Sequence, residues 1–308
     1  MNEATKKLLE KQGYRIIGNN AACKICEWTK RSIRDKDVCY KEKFYNIKSH
    51  LCCQMTPNMV CTNRCVFCWR DTASFTNTKT KFDEPKEIIK GCIEAQRELL
   101  VGFFGTEKAN KEKLKEARNP KYFAISLTGE PTIYPKLSQL IEEMHKIKAC
   151  TFLVSNGLFP KNIEKLDMLP RQLYISIDAP NKETYKKVVR PVMRNSWEKL
   201  NKTLELLPSL DTRTVLRLTM IRDKNLKDEK GYAKLIKKAN PRFIEIKSYM
   251  WVGHSKENLE RENMPTHQEI REFSKKIEKL TEYKMIDEKE NSRVVLLAKE
   301  DSKTRFII

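Results

Sequence analysis

Three cysteines crowd into the eight residues "CTNRCVFC", where Cys61, Cys65 and Cys68 take the spacing Cys-x3-Cys-x2-Cys. Thiolates are soft ligands, and three on one loop can hold three irons of a 4Fe-4S cluster while the fourth stays open to chelate a substrate. A structural zinc site instead closes with four protein ligands. The fourth would here be borrowed from Cys52 or Cys53. Upstream, Cys26, Cys39 and Cys52 are separated by twelve residues each. This second set admits two readings: another open-iron cluster, or a zinc knuckle on Cys23-x2-Cys26 completed by Cys39 and Cys52. Cys92 and Cys150 lie in or beside apolar runs and read as core cysteines. Disulfides do not suit the chain, because nothing in it is secretory and 308 residues can bury a core without staples.

Such ligands need a scaffold that brings loops together at one end. Short apolar runs occur at 53–60, 122–129, 150–157, 172–180, 214–221 and 243–253, separated by helix-period segments such as "KLSQLIEEMHKIK" and "SWEKLNKTLELL". About six β/α units predict an α/β fold with a parallel sheet, a partial (β/α)6 TIM-like barrel whose ligands sit at the carboxyl ends of the strands. Residues 1–52 read as an N-terminal extension carrying the second cysteine set. Residues 53–308 read as the barrel and a C-terminal extension, packed as one unit. The last segment, "RVVLLAKEDSKTRFII", predicts a β-hairpin turning at "EDSK", and the Lys-rich insertion at 105–121 a solvated helix or loop. Three strand ends carry polar groups. They are Thr128, Gly129 and Glu130 in "SLTGEP", Ser155 and Asn156 in "VSNG", and Ser176 and Asp178 in "SIDAP". Glu130 equally suits the N-terminus of the following helix, and Asn156 a local Asx turn.

Lys and Arg number 61 against 41 Asp and Glu, a net charge of +20. That surplus points to a polyanion, and nucleic acid is the natural partner of a basic surface. A heat-adapted surface rich in Lys and Glu accounts for many charges but not for the imbalance. The opening "MNEATKKLLEKQGYR" is polar and helix-patterned, and no apolar run reaches membrane length. We therefore expect a cytoplasmic monomer with neither signal peptide nor membrane anchor.

The cysteine loop after a first strand, together with the three polar strand ends, resembles the radical S-adenosylmethionine (SAM) superfamily. The run "CYKEKFYNIKSHLCCQMTPNMVCTNRCVFCWR" goes further. Its "CYK", "FY", "SH", "TP" and "CVFCWR", with the later "LTGEPTIYP", "SNG" and "SIDAP", resemble the tRNA 4-demethylwyosine synthases, which build wyosine bases. No glycine-rich flavin loop precedes the cysteines, so the likeness is to the shorter archaeal type without a flavodoxin-like domain.

The resemblance implies two 4Fe-4S clusters, one on Cys61, Cys65 and Cys68 bearing SAM and one on Cys26, Cys39 and Cys52. It implies SAM contacts from Thr128, Gly129, Glu130, Ser155, Asn156, Ser176 and Asp178. The implied reaction joins pyruvate to the N1-methylguanosine beside the anticodon of tRNA-Phe. One electron from a separate flavodoxin-type or ferredoxin-type donor cleaves SAM, and the resulting 5′-deoxyadenosyl radical abstracts hydrogen from the N-methyl group. The methylene radical attacks pyruvate, the pyruvate carboxyl carbon is lost, and a tricyclic base closes. Pyruvate would be chelated at the second cluster and held as a Schiff base by Lys41, with Lys43 and Lys48 as rivals. Phe67, Trp69 and Arg70 would shape the pocket for the flipped base, unless Phe67 only shields the cluster. Arg190, Arg194, Arg217, Arg222 and Lys247 would neutralise tRNA phosphates. Two other readings remain, a radical SAM enzyme acting on a peptide and a zinc-stabilised RNA-binding protein.

Overall fold

The computed structural model describes residues 3–71 and 81–306. In chain order, α1 (Glu3–Lys11) leads into a hairpin of β1 (Tyr14–Ile17) and β2 (Ala21–Lys24), followed by α2 (Glu27–Ile33) and α3 (Tyr40–Tyr45). Then come β3 (Cys52–Thr56), α4 (Pro85–Phe104), α5 (Lys111–Ala117), β4 (Tyr122–Ile125), α6 (Leu137–Lys146), β5 (Cys150–Ser155) and α7 (Pro160–Glu164). The rest is β6 (Gln172–Ser176), α8 (Lys182–Val188), α9 (Ser196–Leu206), β7 (Arg213–Met220), α10 (Glu229–Ala239), β8 (Phe243–Ser248), α11 (His267–Leu280), β9 (Lys284–Lys289) and β10 (Val294–Ala298).

All ten strands form one sheet in the order β1-β2-β3-β4-β5-β6-β7-β8-β10-β9. From β3 to β8 each strand lies parallel to the next, in sequence order. That order belongs to a partial barrel rather than a doubly wound sheet, whose strand order reverses midway. Right-handed crossovers put the intervening helices on one face. Alternation along the strands then gives that face Ile125, Leu153, Ile175, Leu216 and Ile246, which join the large core.

The opposite face holds a smaller core. Phe152, Tyr174, Val215 and Phe243 meet Tyr40, Phe44 and Tyr45 of α3 there. The second cysteine set is thus carried by segments that plug the inside of the barrel. The β1-β2 hairpin, which the sequence reading missed, adds antiparallel to β3 through β2. Its turn is tied down by Asp83, whose carboxylate accepts from the Asn19 and Asn20 amides.

The C-terminal hairpin exists but lies earlier than expected. β9 and β10 pair antiparallel, the connection is Glu290–Ser292 rather than "EDSK", and β10 joins the sheet beside β8. Lys303–Phe306 is a 3-10 turn and not a returning strand. Of the insertion at 105–121, α5 is capped by the Asn110 side chain, which accepts from the amides of Glu112 and Lys113.

Candidate active site

Cys61, Cys65 and Cys68 ride on the loop after β3, and that loop is pinned to the end of α8. The Arg64 amide donates to the carbonyls of Val189 and Arg190, the Val66 amide to Val188, and Asn63 bridges Pro191. The Asn63 amide also reaches the Cys61 sulfur at 3.5 Å. The three thiols lie within one another's electrostatic fields, and burial raises all of their pKa values, that of Cys61 to about 12. Thiols held neutral by burial become thiolates only with a cation beside them, and iron supplies it. The set therefore fits a cluster with one cysteine on each of three irons.

A cleft of about 150 Å³ opens beside Cys61 and Cys65, at the carboxyl ends of the strands. Of the expected SAM contacts, Gly129, Glu130, Ser155, Asn156, Ser176 and Asp178 line it, together with Phe67. Thr128 is placed differently, its carbonyl accepting from the Thr56 hydroxyl at 2.7 Å. Glu130 is 1% exposed, and its carboxylate accepts from the Thr132 amide and hydroxyl, the Ser155 hydroxyl and the Asn156 amide. It therefore organises two strand ends, whatever it offers a ligand. The Asn156 side chain makes the expected Asx contact with the Leu158 amide and also donates to Thr62. Asp178 accepts from the Thr219 amide, and burial pushes its pKa up to about 6.

Gly129 has φ +73°, and a Cβ there would be driven into the Asn58 carbonyl and the Met59 backbone. Both the left-handed backbone and the close approach demand glycine. Gly129→Ala should cost roughly 1–3 kcal/mol of stability and weaken SAM binding at least about tenfold. Thermal unfolding and equilibrium dialysis with SAM check the two parts.

The second set is gathered by its positions at element ends. Cys26 is the N-cap of α2, Cys39 the N-cap of α3, and Cys52 opens β3. These thiols too lie in each other's fields, and burial lifts Cys39 and Cys52 to about 12. Cys23 does not belong with them. It is fully buried, its sulfur 3.7 Å from that of Cys53, and both contact Cys92. Among the described residues, no group of three or more His, Cys, Asp or Glu is gathered so as to hold a metal ion. A zinc knuckle requires four ligands converging on one ion, whereas cluster cysteines each take a different iron. With Cys23 engaged by Cys53 and Cys92, a zinc knuckle on Cys23 and Cys26 lacks one of its four ligands. Cys92 is a core cysteine as expected, but Cys150 is only partly buried and lines a cavity of about 710 Å³ at the far ends of the strands.

Lys41 follows Cys39 by two residues, on the first turn of α3. Its amine lies 4.6 Å from the centre of the Tyr174 ring and 5.2 Å from that of Phe152. Burial and then Arg217 push its pKa down, while Glu245, Cys39 and Cys52 oppose them. Lys43 and Lys48 are exposed and paired with Asp287 and Glu42. Beneath Lys41 runs a network that sequence reasoning missed. Fully buried Glu245 accepts from Tyr40 at 3.0 Å and Tyr45 at 2.9 Å, and pairs with Arg217 at 3.1 Å. Arg217 also donates to Tyr40 and lies over the Tyr174 ring. Such a charge pair is tolerable inside a protein because its polar atoms are partnered. Strand alternation could have revealed it, since Arg217 and Glu245 are register partners on β7 and β8.

The expected tRNA contacts therefore divide. Arg217 is committed inside the barrel, away from any phosphate backbone. Arg222 is held by both carboxylate oxygens of Glu269. Lys247 shares the inner face with Glu245, and Cys39 and Cys26 contribute to its electrostatic field. Arg70 is 6% exposed, donates to the Leu127 carbonyl, and lies over the Trp69 and Tyr14 rings. Cys68 and Cys26 both contribute to its electrostatic field. Trp69 is 40% exposed, and Arg190 and Arg194 are exposed beside the cysteine loop. Arg190 lines a cleft of about 650 Å³ together with Lys186, Lys187, Lys224 and Lys227. No described helix is long and apolar enough to cross a membrane.

Two family models match the chain, the radical SAM superfamily over residues 55–236 and wyosine base formation over residues 238–299. The chain is 46% identical to the S-adenosyl-L-methionine-dependent tRNA 4-demethylwyosine synthase of Pyrococcus abyssi, over 98% of this chain and 90% of that protein. The human enzyme of that name is 36% identical over 96% of this chain, which spans 41% of the human protein. A solved structure of TYW1 with a lysine-pyruvate adduct bound superposes with a TM-score of 0.89 at 38% identity, covering 97% of each chain. A crystal structure of archaeal TYW1 gives a TM-score of 0.81 at 35% identity, covering 98% of each. Inner-face chemistry, cysteine loops and whole-length similarity agree, and the chain belongs to the S-adenosyl-L-methionine-dependent tRNA 4-demethylwyosine synthases of the radical SAM superfamily.

Proposed function

We propose that this chain condenses pyruvate with N1-methylguanosine beside the anticodon of tRNA-Phe to give 4-demethylwyosine, acting as a cytoplasmic monomer fed by a separate one-electron donor. The observation that carries this reading is the placing of Lys41 two residues after Cys39 on α3, with its amine over the Tyr174 and Phe152 rings inside the barrel. When bound, the cluster on Cys61, Cys65 and Cys68 supplies the electron that cleaves SAM to methionine and a 5′-deoxyadenosyl radical. Gly129 brings the backbone close to that ligand, and the hydrogen bonds of Glu130 fix the walls around it. Residues 1–52 serve as the arm that carries Cys26, Cys39 and Cys52, the ligands of the second cluster, into the barrel.

Lys41 forms the imine with the pyruvate keto group, losing water, and thereby fixes the acceptor carbon at one place. A lysine–pyruvate adduct is bound in the similar TYW1 structure, and the position of Lys41, two residues after Cys39 on α3, supports the same role here. Trp69 offers an exposed ring on which an unstacked base can lie. Arg190 and Arg194 take phosphates, so Arg190→Glu with Arg194→Glu should weaken tRNA binding and lower the salt slope by about 1 to 2 units. Titrations at several salt concentrations measure it.

The reading as a whole is tested by incubating anaerobically reconstituted protein with reductant, SAM, pyruvate and methylguanosine-containing tRNA. The tricyclic nucleoside should appear in the digested tRNA. Protein that cleaves SAM yet leaves the methylguanosine intact would contradict the assignment. A peptide-modifying role gains no support, since no cysteine follows Cys150 to carry a further cluster.

A further inference from the structure

Lys247 was expected on the RNA-binding surface, and the fold places it elsewhere. On β8 it stands two residues beyond Glu245, and strand alternation puts both on the inner face of the barrel. Glu245 marks that face unambiguously, through its bonds to Tyr40, Tyr45 and Arg217. In register, Thr219 of β7 is the partner of Lys247, one step toward the carboxyl ends from the Arg217–Glu245 pair. Lys247 thus lies one step from that pair toward the carboxyl ends of the strands.

Its neighbours repeat those of Lys41. Arg217, Glu245 and Cys39 contribute to the fields of both amines. The other charged groups around Lys41 are engaged: Glu245 with Arg217 and two tyrosines, and Arg217 with Glu245 and Tyr40. Lys247 is partly buried and forms no side-chain hydrogen bond or ion pair with any described residue. Burial pushes the Lys247 pKa down, and an anion beside the amine would hold it as the ammonium. A phosphodiester backbone cannot follow it into the barrel, but a small carboxylate can.

We propose that Lys247 binds the carboxylate of the 2-oxo acid whose keto carbon Lys41 takes, and so selects an acid over a neutral ketone. This rests on the reading of Lys41 as the imine-forming residue. The two lysines divide the substrate between them: one amine exchanges with the keto oxygen as water, and the other remains an ammonium beside the carboxylate. No electron is transferred in either event.

The test uses the reconstituted holoenzyme without SAM or tRNA, trapping the adduct with cyanoborohydride and reading the mass added to the Lys41 peptide. Pyruvate is compared with hydroxyacetone, in which a neutral group replaces the carboxylate. In Lys247→Met the pyruvate concentration for half-trapping should rise by about ten- to a hundredfold, as for loss of a charge-assisted contact, while hydroxyacetone trapping is unchanged. Lys247→Arg should restore most of the pyruvate preference. Equal pyruvate dependence in wild type and Lys247→Met would overturn the proposal. So would a parallel loss of both ketones in Lys247→Met and Lys247→Arg, or a loss of tRNA affinity with pyruvate trapping intact. Absence of any Lys41 adduct in the wild type would instead defeat the reading of Lys41 on which the proposal stands.

Discussion

Lys41→Met is expected to leave a protein that holds both clusters and cleaves SAM, yet forms no tricyclic base, a loss of several orders of magnitude. Removing the nucleophile of a covalent step does that, while removing a contact merely weakens binding. The structural argument is local. Cys39 holds the N-cap position of α3 and Lys41 is on its first turn, so a helix of six residues brings a cysteine and an amine together. Aromatic rings of Phe152 and Tyr174 form the floor, and Arg217 adds a positive charge beside the amine. Lys43→Met supplies the control, because its amine is exposed and paired with Asp287. That variant should retain full activity. Product analysis on digested tRNA, with 5′-deoxyadenosine counted in the same reaction, separates the steps.

The second large effect concerns the two cysteine triads, which should fail differently. Cys65→Ala should abolish both SAM cleavage and base formation. Cys39→Ala should retain SAM cleavage, now uncoupled from product, because the first triad is pinned to α8 by contacts that do not involve α3. Base formation in Cys39→Ala should fall by at least about a hundredfold, the scale on which misplaced reactants lose rate. Equal loss of SAM cleavage in both variants would mean that the triads act as one site. Neither variant is expected to unfold the barrel, since Cys65 and Cys39 are only partly buried residues packed at the edges of the large and the small core.

Much of this is legible in the sequence. Alternation of apolar runs and helix-period segments gave the parallel strands, because inner and outer faces of a barrel impose different demands on successive residues. Cys-x3-Cys-x2-Cys is local, so its meaning survives without the fold. The β1-β2 hairpin was missed because its cysteine-bearing strand read as a ligand segment. The C-terminal turn was misplaced because "EDSK" is as good a turn as the segment Glu290–Ser292 that is used. Arg217, Arg222 and Lys247 show one limit of reading charge from sequence: the structure gives the two arginines carboxylate partners and puts Lys247 on the inner face. A positive charge in sequence says nothing of its partner, and only strand register reveals that Arg217 faces Glu245. Arg70, expected in the pocket for the base, is buried against the Trp69 and Tyr14 rings and donates to the Leu127 carbonyl.

The central claim is that two open-iron clusters serve one reaction in this chain. Iron and acid-labile sulfide counted on anaerobically reconstituted wild-type protein test it most directly. The account predicts about eight of each per chain, falling by half in either Cys65→Ala or Cys39→Ala. A value near four of each in intact protein would leave a single cluster and contradict it.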